Sequence, residues 1–342
     1  MKKEEFVPTP QESTLDCPDY AIVAMVQGSL GEPGVTLGTK GLCRFCGEAN
    51  PRAFRNVAHT LPEAFGNKWV TSLDECDACN ARFGTFDDAL VKSMGAILTF
   101  GGTQGKGNKV RQTGRTDGPA SIRHRIVDGQ RSISMRANGT PFSDHFGVNP
   151  RTGELVFRIP GGTERFVPAK AYKALVEMAL ALLPEYKLPN FTKIITWLGS
   201  ADDDLLPHMI VGISFAIIGN SPPLLAAALL RRTSENRDTP YMLFVTTMGS
   251  VCLQIVLKAD ALDGDWPSRL RTRPNIRWTN MLAPPGEEPL ALVYDDPVHL
   301  DWGRAELESP VIETIVTAVH PETGQGRMSA VIRKRAVAEP QT

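Results

Sequence analysis

Four of the six cysteines stand as two pairs, Cys43-Arg44-Phe45-Cys46 and Cys76-Asp77-Ala78-Cys79. A two-residue spacer lets one tight turn offer two thiolates to a single metal ion. Two such knuckles complete a tetrahedral four-thiolate site, which suits Zn(II). The pairs are separated by residues 47–75, a longer insert than in a minimal zinc ribbon. Gly47 after the first knuckle and an expected helix after the second fit this geometry. A closed site of this kind has no open coordination position, so its ion is scaffold rather than catalyst. The same residues can also be read as unrelated thiols or as a redox CxxC, but a redox pair has no need of a second pair beside it. Cys17 and Cys252 stand alone, and neither is given any chemistry.

Between the knuckles runs Asn56-Val57-Ala58-His59-Thr60-Leu61-Pro62-Glu63-Ala64-Phe65-Gly66-Asn67-Lys68, and Asn80 follows directly on Cys79. A CxxC, then His-x-x-Pro and Gly-Asn, then CxxC-Asn together resemble the zinc-knuckle HNH (His-Me finger, ββα-metal) endonucleases. The resemblance covers about residues 42 to 90. It implies a β-strand bearing His59 as general base and a helix opening with Asn80 as ligand of a catalytic Mg(II) or Mn(II). Phosphodiester hydrolysis needs a deprotonated water, a cation at the developing charge and a fixed in-line geometry, and these residue types can supply them. An imidazole titrates near neutrality and works as a base if an acceptor, such as Asn56 or a backbone carbonyl, orients it. An amide oxygen suits Mg(II), which keeps several of its waters. The chain departs from the pattern at Ala58, where many members carry a metal-binding Asp or Glu. Glu63, Asp77, Asp87 and Asp88 are the acids within reach of that role. Asp87 lies two helical turns beyond Asn80 on the same face. Asp and Glu are mostly exposed, so a solvated surface is the competing reading for each of them.

The chain has 342 residues and a formal net charge of −1, which excludes a protein that coats nucleic acid through bulk charge. The charge is uneven, however. Between Gln104 and Arg136, Lys106, Lys109, Arg111, Arg115, Arg123, Arg125, Arg131 and Arg136 are opposed only by Asp117 and Asp128. That stretch carries +6 and the remainder −7. Beside a nuclease site, Lys106, Lys109, Arg111, Arg115, Arg123 and Arg125 are the candidate contacts to phosphates. A solvated loop and the outer face of a hairpin are the alternative. The glycines here match no phosphate-binding loop of the GxxxxGK[ST] type.

The fold expected around these residues is α+β. A lead-in over 1–38 contains one short strand near Tyr20 to Val26. A small zinc-stabilised ββα-metal domain follows over 39–100, then a Gly/Lys/Arg-rich linker over 101–120 and a larger mixed α+β region over 121–342. Within that region the alternation of Ser121 to Met135 and Leu155 to Ile159 predicts strands. Tyr172, Leu175, Val176, Ala179, Leu182 and Leu183 recur at helical spacing between Pro168 and Pro184. Phe191 to Leu198 reads as a short helix. Tyr241 to Thr247 and Val251 to Leu257 read as a hairpin through Gly249-Ser250. Leu290 to Tyr294 and Val311 to Val319 read as strands, and the residues from Arg333 on as a frayed tail. The most apolar window, Leu205 to Ile218, is too short to span a bilayer and is expected to be core. The first residues lack the apolar run of a signal peptide, so the expected location is cytoplasmic.

Three functional readings are open on the sequence. The leading one is a metal-dependent DNA endonuclease, with a defence or restriction role implied by the resemblance alone. The second is a zinc-stabilised nucleic-acid-binding module without cleavage, which Ala58 supports and His59 with Asn80 opposes. The third is a protein-interaction module. The C-terminal region can serve DNA binding, self-assembly or a partner subunit.

Overall fold

The computed structural model describes residues 14–28, 34–114, 120–127, 130–137, 139, 141–160, 164–201, 203–206, 208–216, 225–237, 239–263, 276–282, 290–294, 296–309, 312–322 and 326–332. Its centre is an antiparallel six-stranded sheet. The strand order is Val298–Asp301, Ile210–Phe215, Val251–Leu257, Met242–Met248, Leu225–Arg232 and Tyr20–Gly28. Of the Leu205 to Ile218 window anticipated as core, Ile210–Phe215 forms a strand buried from Val211 onward, whereas Leu205 is exposed and residues 207, 217 and 218 lie outside the described residues. The anticipated hairpin forms with Met248 opposite Val251, and both of its strands are almost wholly buried. The strand expected in the lead-in is an edge of this sheet, with Ala227 opposite Val26.

The sheet has two covered faces, which makes three layers. On one face Ala226, Ala228, Leu230, Leu243 and Val245 pack with Ile276 and Trp278, next to a small sheet of Thr14–Asp16, Arg277–Leu282 and Leu290–Val293. On the other, Ala227, Leu229, Phe244, Leu253 and Ile255 belong to the main core, which is shared with two helices. These are α1, Asp77–Phe100, and α2, Pro168–Leu182. α2 begins on its proline, whose missing N–H costs nothing in a first turn. All of its residues but Lys170 are buried, and the Tyr172 hydroxyl donates to the Val256 carbonyl at 3.2 Å. α1 packs along α2. A third helix, α3, spans Thr192–Leu198. A four-stranded sheet, ordered Gly326–Ile332, Ile312–Val319, Leu155–Pro160 and Phe146–Val148, completes the frame.

The chain is thus a mixed α and β protein, with its cysteine cluster in the N-terminal region. One apolar core runs continuously from Phe54, Phe65 and Phe83 to Phe244 and Ile315. The glycine-rich stretch after α1 is partly packed as well. Gly102, Thr103 and Gly105 are buried, and Lys68 Nζ donates to the Gly105 carbonyl at 2.7 Å. Arg115 and the residues from Arg333 on lie outside the described residues. Among the described residues no helix is long and apolar enough to cross a membrane.

Candidate metal-centred nuclease site

The first knuckle turns on Gly47, whose amide donates to the Cys43 carbonyl at 2.9 Å. Its φ of +73° is left-handed, a region that glycine enters without strain. The second knuckle is the start of α1. Cys76 is the N-cap residue, and the Asn80 amide closes the first turn on the Cys76 carbonyl at 2.9 Å. The two turns face each other. Cys43 and Cys79 Sγ lie 3.8 Å apart, Cys46 and Cys76 Sγ 3.6 Å, and all four lie within 4.8 Å of one another. Sulfurs bound to Zn(II) at about 2.3 Å sit about 3.8 Å apart along the edges of a tetrahedron, whereas a disulfide needs about 2.05 Å. The cluster therefore fits a zinc ion and not a pair of disulfides. Cys43, Cys76 and Cys79 are buried and Cys46 is exposed. A hydrogen bond shared with Cys79, then the backbone amides of Cys76, Cys46 and Phe45, push the Cys43 thiol down to about 4 against the effect of burial. The same bond pushes the Cys79 thiol up and burial pushes Cys46 up to about 11, so the support for a metal is the sulfur geometry, and binding Zn(II) would release the remaining thiol protons.

The segment between the knuckles forms two short strands ahead of the helix. Ala58–His59 pairs antiparallel with Val70–Ser72, His59 opposite Thr71, and the latter also pairs in parallel with Val35–Leu37. The order is β, β, α. The loop joining the two strands is closed by Asn67, which is fully buried and uses its whole amide. Its Nδ2 donates to the Leu61 and Val70 carbonyls at 2.6 and 2.8 Å. Its Oδ1 accepts from the Trp69 and Val70 amides at 3.1 and 2.9 Å. Asn67 is the positioning residue that sequence reasoning passed over. Its only signal was the Gly66-Asn67 pair.

Residues 43–94 match the family model of the HNH endonucleases. No curated protein and no solved structure matches the chain. The match supports a nuclease type of function, and the matched segment contains both His59 and Asn80.

His59 ends its strand half-buried, with Nδ1 enclosed and without a hydrogen-bond partner among the described residues. Asn56, considered above as its orienting group, instead donates its backbone amide to Asp77 Oδ1 at 2.9 Å. Burial pushes the imidazole below its ordinary value; Glu63 opposes that effect and Lys68 adds to it. The shift favours the neutral ring, the form a general base requires. Asn80 sits half-buried in the first turn of α1.

The acids divide between separate tasks. Glu63 opens a short 3-10 turn and pairs with Lys68 at 3.1 Å, which makes it the carboxylate beside His59. Asp77 accepts from the Arg55 and Asn56 amides and from Arg55 Nε, fixing the loop that leads into the His59 strand. Those bonds, Asn56 first, hold its carboxyl below the usual range. Asp88 pairs with Lys92 one turn along α1 at 2.6 Å. Asp87 turns inward toward Glu75 and Glu177.

The cations divide too. Lys106 and Lys109 are exposed around the short turn after α1. Arg111 is tied to Glu164. Arg123 and Arg125 lie on a hairpin of Ala120–Val127 and Gln130–Ala137, half-buried and exposed respectively.

Proposed function

We propose that the chain is a metal-dependent endonuclease that hydrolyses phosphodiester bonds of DNA. The observation that carries this reading is the β, β, α order. It presents His59 at the end of the first strand and Asn80 in the first turn of the helix, on a unit held by the four cysteines. In this reading the neutral His59 ring takes the proton of the attacking water. The Asn80 amide oxygen holds a Mg(II) or Mn(II) ion, which when bound supplies positive charge at the leaving oxygen. The donor present fits an ion that keeps most of its waters and is completed by substrate phosphate: the Asn80 amide oxygen, with no carboxylate at position 58. Glu63 is the additional ligand candidate beside His59, although Lys68 already engages it. Asn67 closes the loop that sets the distance between the two strands.

The test is plasmid cleavage by the purified, zinc-loaded chain, with and without added Mg(II) or Mn(II). Wild type is expected to cut only with added metal, and His59→Ala to lose at least 100-fold in rate. Cutting by His59→Ala at the wild-type rate defeats the base assignment. Duplex binding without cutting under any metal supports the binding-module reading, which Ala58 favours.

A further inference from the structure

Among the described residues, the Ala120–Val127 and Gln130–Ala137 strands form a two-stranded antiparallel ribbon. Its register sets Ser121 opposite Arg136, Arg123 opposite Ser134 and Arg125 opposite Ser132. Alternation along each strand places these six residues on one face. Ile122, His124, Ile133 and Met135 fall on the other.

The second face roots the ribbon. Ile122 and His124 are buried, and Ile122 exchanges both backbone bonds with Thr113 at 2.8 and 3.1 Å. His124 Nδ1 donates to the Thr99 and Phe100 carbonyls, the last residues of α1, at 3.2 and 3.1 Å. Gly102 makes room for that ring, since a Cβ there would lie 2.4 Å from it. The first face opens outward beyond its root: Ser121 is buried and Arg123 half-buried, while Arg125, Ser132, Ser134 and Arg136 are exposed. Near the root, Ser121, Arg123, Ser134, Met135 and Arg136 line an open recess of about 180 Å³. Among its described residues, this face carries cations and hydroxyls and no acid.

We infer that this arginine–serine face is a docking surface for B-form duplex DNA, gripping it about one helical turn from the bond that is cut. The identity of the partner rests on the nuclease reading above; the form of the partner and the distance come from the ribbon. Guanidinium and hydroxyl groups together bind phosphate oxygens and base edges. A two-stranded ribbon fits the wide major groove of B-DNA and not the deep, narrow one of A-form RNA. The distance follows from α1. Asn80 is in its first turn and Phe100 closes its last, and twenty residues rise about 30 Å. At about 3.4 Å per base pair that is roughly nine base pairs.

The test uses the full chain without added divalent ion. Anisotropy is measured on a 30-base-pair DNA duplex, the RNA duplex of the same sequence and the single DNA strand. The DNA duplex is expected to bind tightest. The exposed pair Arg125→Ala/Arg136→Ala should lower the slope of log K against log salt by about 1.8 and weaken binding about tenfold, at unchanged thermal stability. Arg231→Ala, an exposed arginine on the central sheet, should leave both unchanged. Trimming one flank of a cleavable duplex below about nine base pairs should reproduce the loss. Equal slopes for wild type and the double variant, no duplex binding, or preference for the RNA duplex or single strand each overturn the inference. The two readings fail separately. Metal-dependent cutting with an unchanged slope defeats the ribbon alone. Ribbon-dependent duplex binding without cutting defeats the nuclease alone.

Discussion

Asp87 shows how little a helical spacing says about what a side chain meets. Two turns beyond Asn80, it qualified as a metal ligand by face alone. In the fold it belongs with Glu75 and Glu177, both almost fully buried, and its Oδ1 is enclosed without a partner among the described residues. Burial pushes the Asp87 carboxyl up to about 7, and burial followed by Asp87 itself pushes Glu75 up to about 8. The sign of the linkage follows. A carboxyl with a raised folded-state pKa favours the fold fully below its unfolded value near 4. That contribution is lost as pH climbs toward 7, because the folded chain must then hold a disfavoured charge or keep its proton. Asp87→Asn is therefore expected to stabilise the chain at pH 8 by about 1 kcal/mol or more, and to do little at pH 4. Urea unfolding at the two pH values measures this. The same variant should keep its metal-dependent cutting; a fall of 100-fold would restore Asp87 to the metal. The four cysteines were legible because two local spacings bring them to one point, and His59 and Asn80 lie in the same ββα unit. The surroundings of Asp87 were not, because Glu177 arrives from 90 residues away.

Among the elements, those with a strong local period were the legible ones. α2 carries its apolar stripe between two prolines, and the 242–257 hairpin joins two apolar runs through a glycine turn. Leu225–Arg232 is the opposite case. Its Ala-Ala-Ala-Leu-Leu run favours a helix by propensity, yet it lies as a buried strand between two others. Placement in the sheet decides, because small side chains on both faces let the layers above and below approach. Arg44 was equally hidden. As a spacer residue of the first knuckle it reads as solvent-facing, but its side chain is 4% exposed. It donates to Asp74 Oδ2 through Nε at 2.8 Å and Nη2 at 2.6 Å. Its Nη1 donates to the Leu180, Ala181 and Leu183 carbonyls at 2.7, 2.8 and 3.1 Å. These carbonyls lie at the negative end of α2, where a cation is favoured, and the Leu180 carbonyl also accepts from the Leu183 amide at 3.1 Å. One guanidinium thus joins the knuckle to the helix that underlies the central sheet. Removing it leaves the buried Asp74 carboxylate without its counter-charge, with only the Ser72 hydroxyl bonded to it among the described residues, and takes a donor from three carbonyls. Arg44→Ala is expected to cost about 3–5 kcal/mol, read as a shift in the urea midpoint. Arg44→Lys should recover only part, since one ammonium cannot reach both groups in a fork.

At the scale of the whole molecule, the question is whether the zinc-bearing unit stands apart. Composition shifts and the run of glycines after residue 100 suggested a linker there. In the fold α1 passes from the second knuckle into the shared core, with Phe83, Phe86, Leu90, Met94 and Ile97 buried in the cluster that holds α2 and one face of the central sheet. Arg44 ties the first knuckle to the same helix. A core without an internal boundary transmits a local loss to the whole, so the thiolate site should support global stability. Cys76→Ser removes a metal ligand while placing a good capping residue at the N-cap of α1, so any loss is the metal's. It is expected to lower a single thermal transition by roughly 5–10 °C, with zinc content falling in parallel. Calorimetry distinguishes this from the alternative. If the variant melts in two steps, the upper one at the wild-type temperature, residues 39–100 fold as a unit of their own and the continuous core is contact without cooperativity. If a single, lowered transition remains, the metal that shapes the His59 and Asn80 unit also holds the sheet behind it. Zinc loss then disables the nuclease unit and the rest of the chain together.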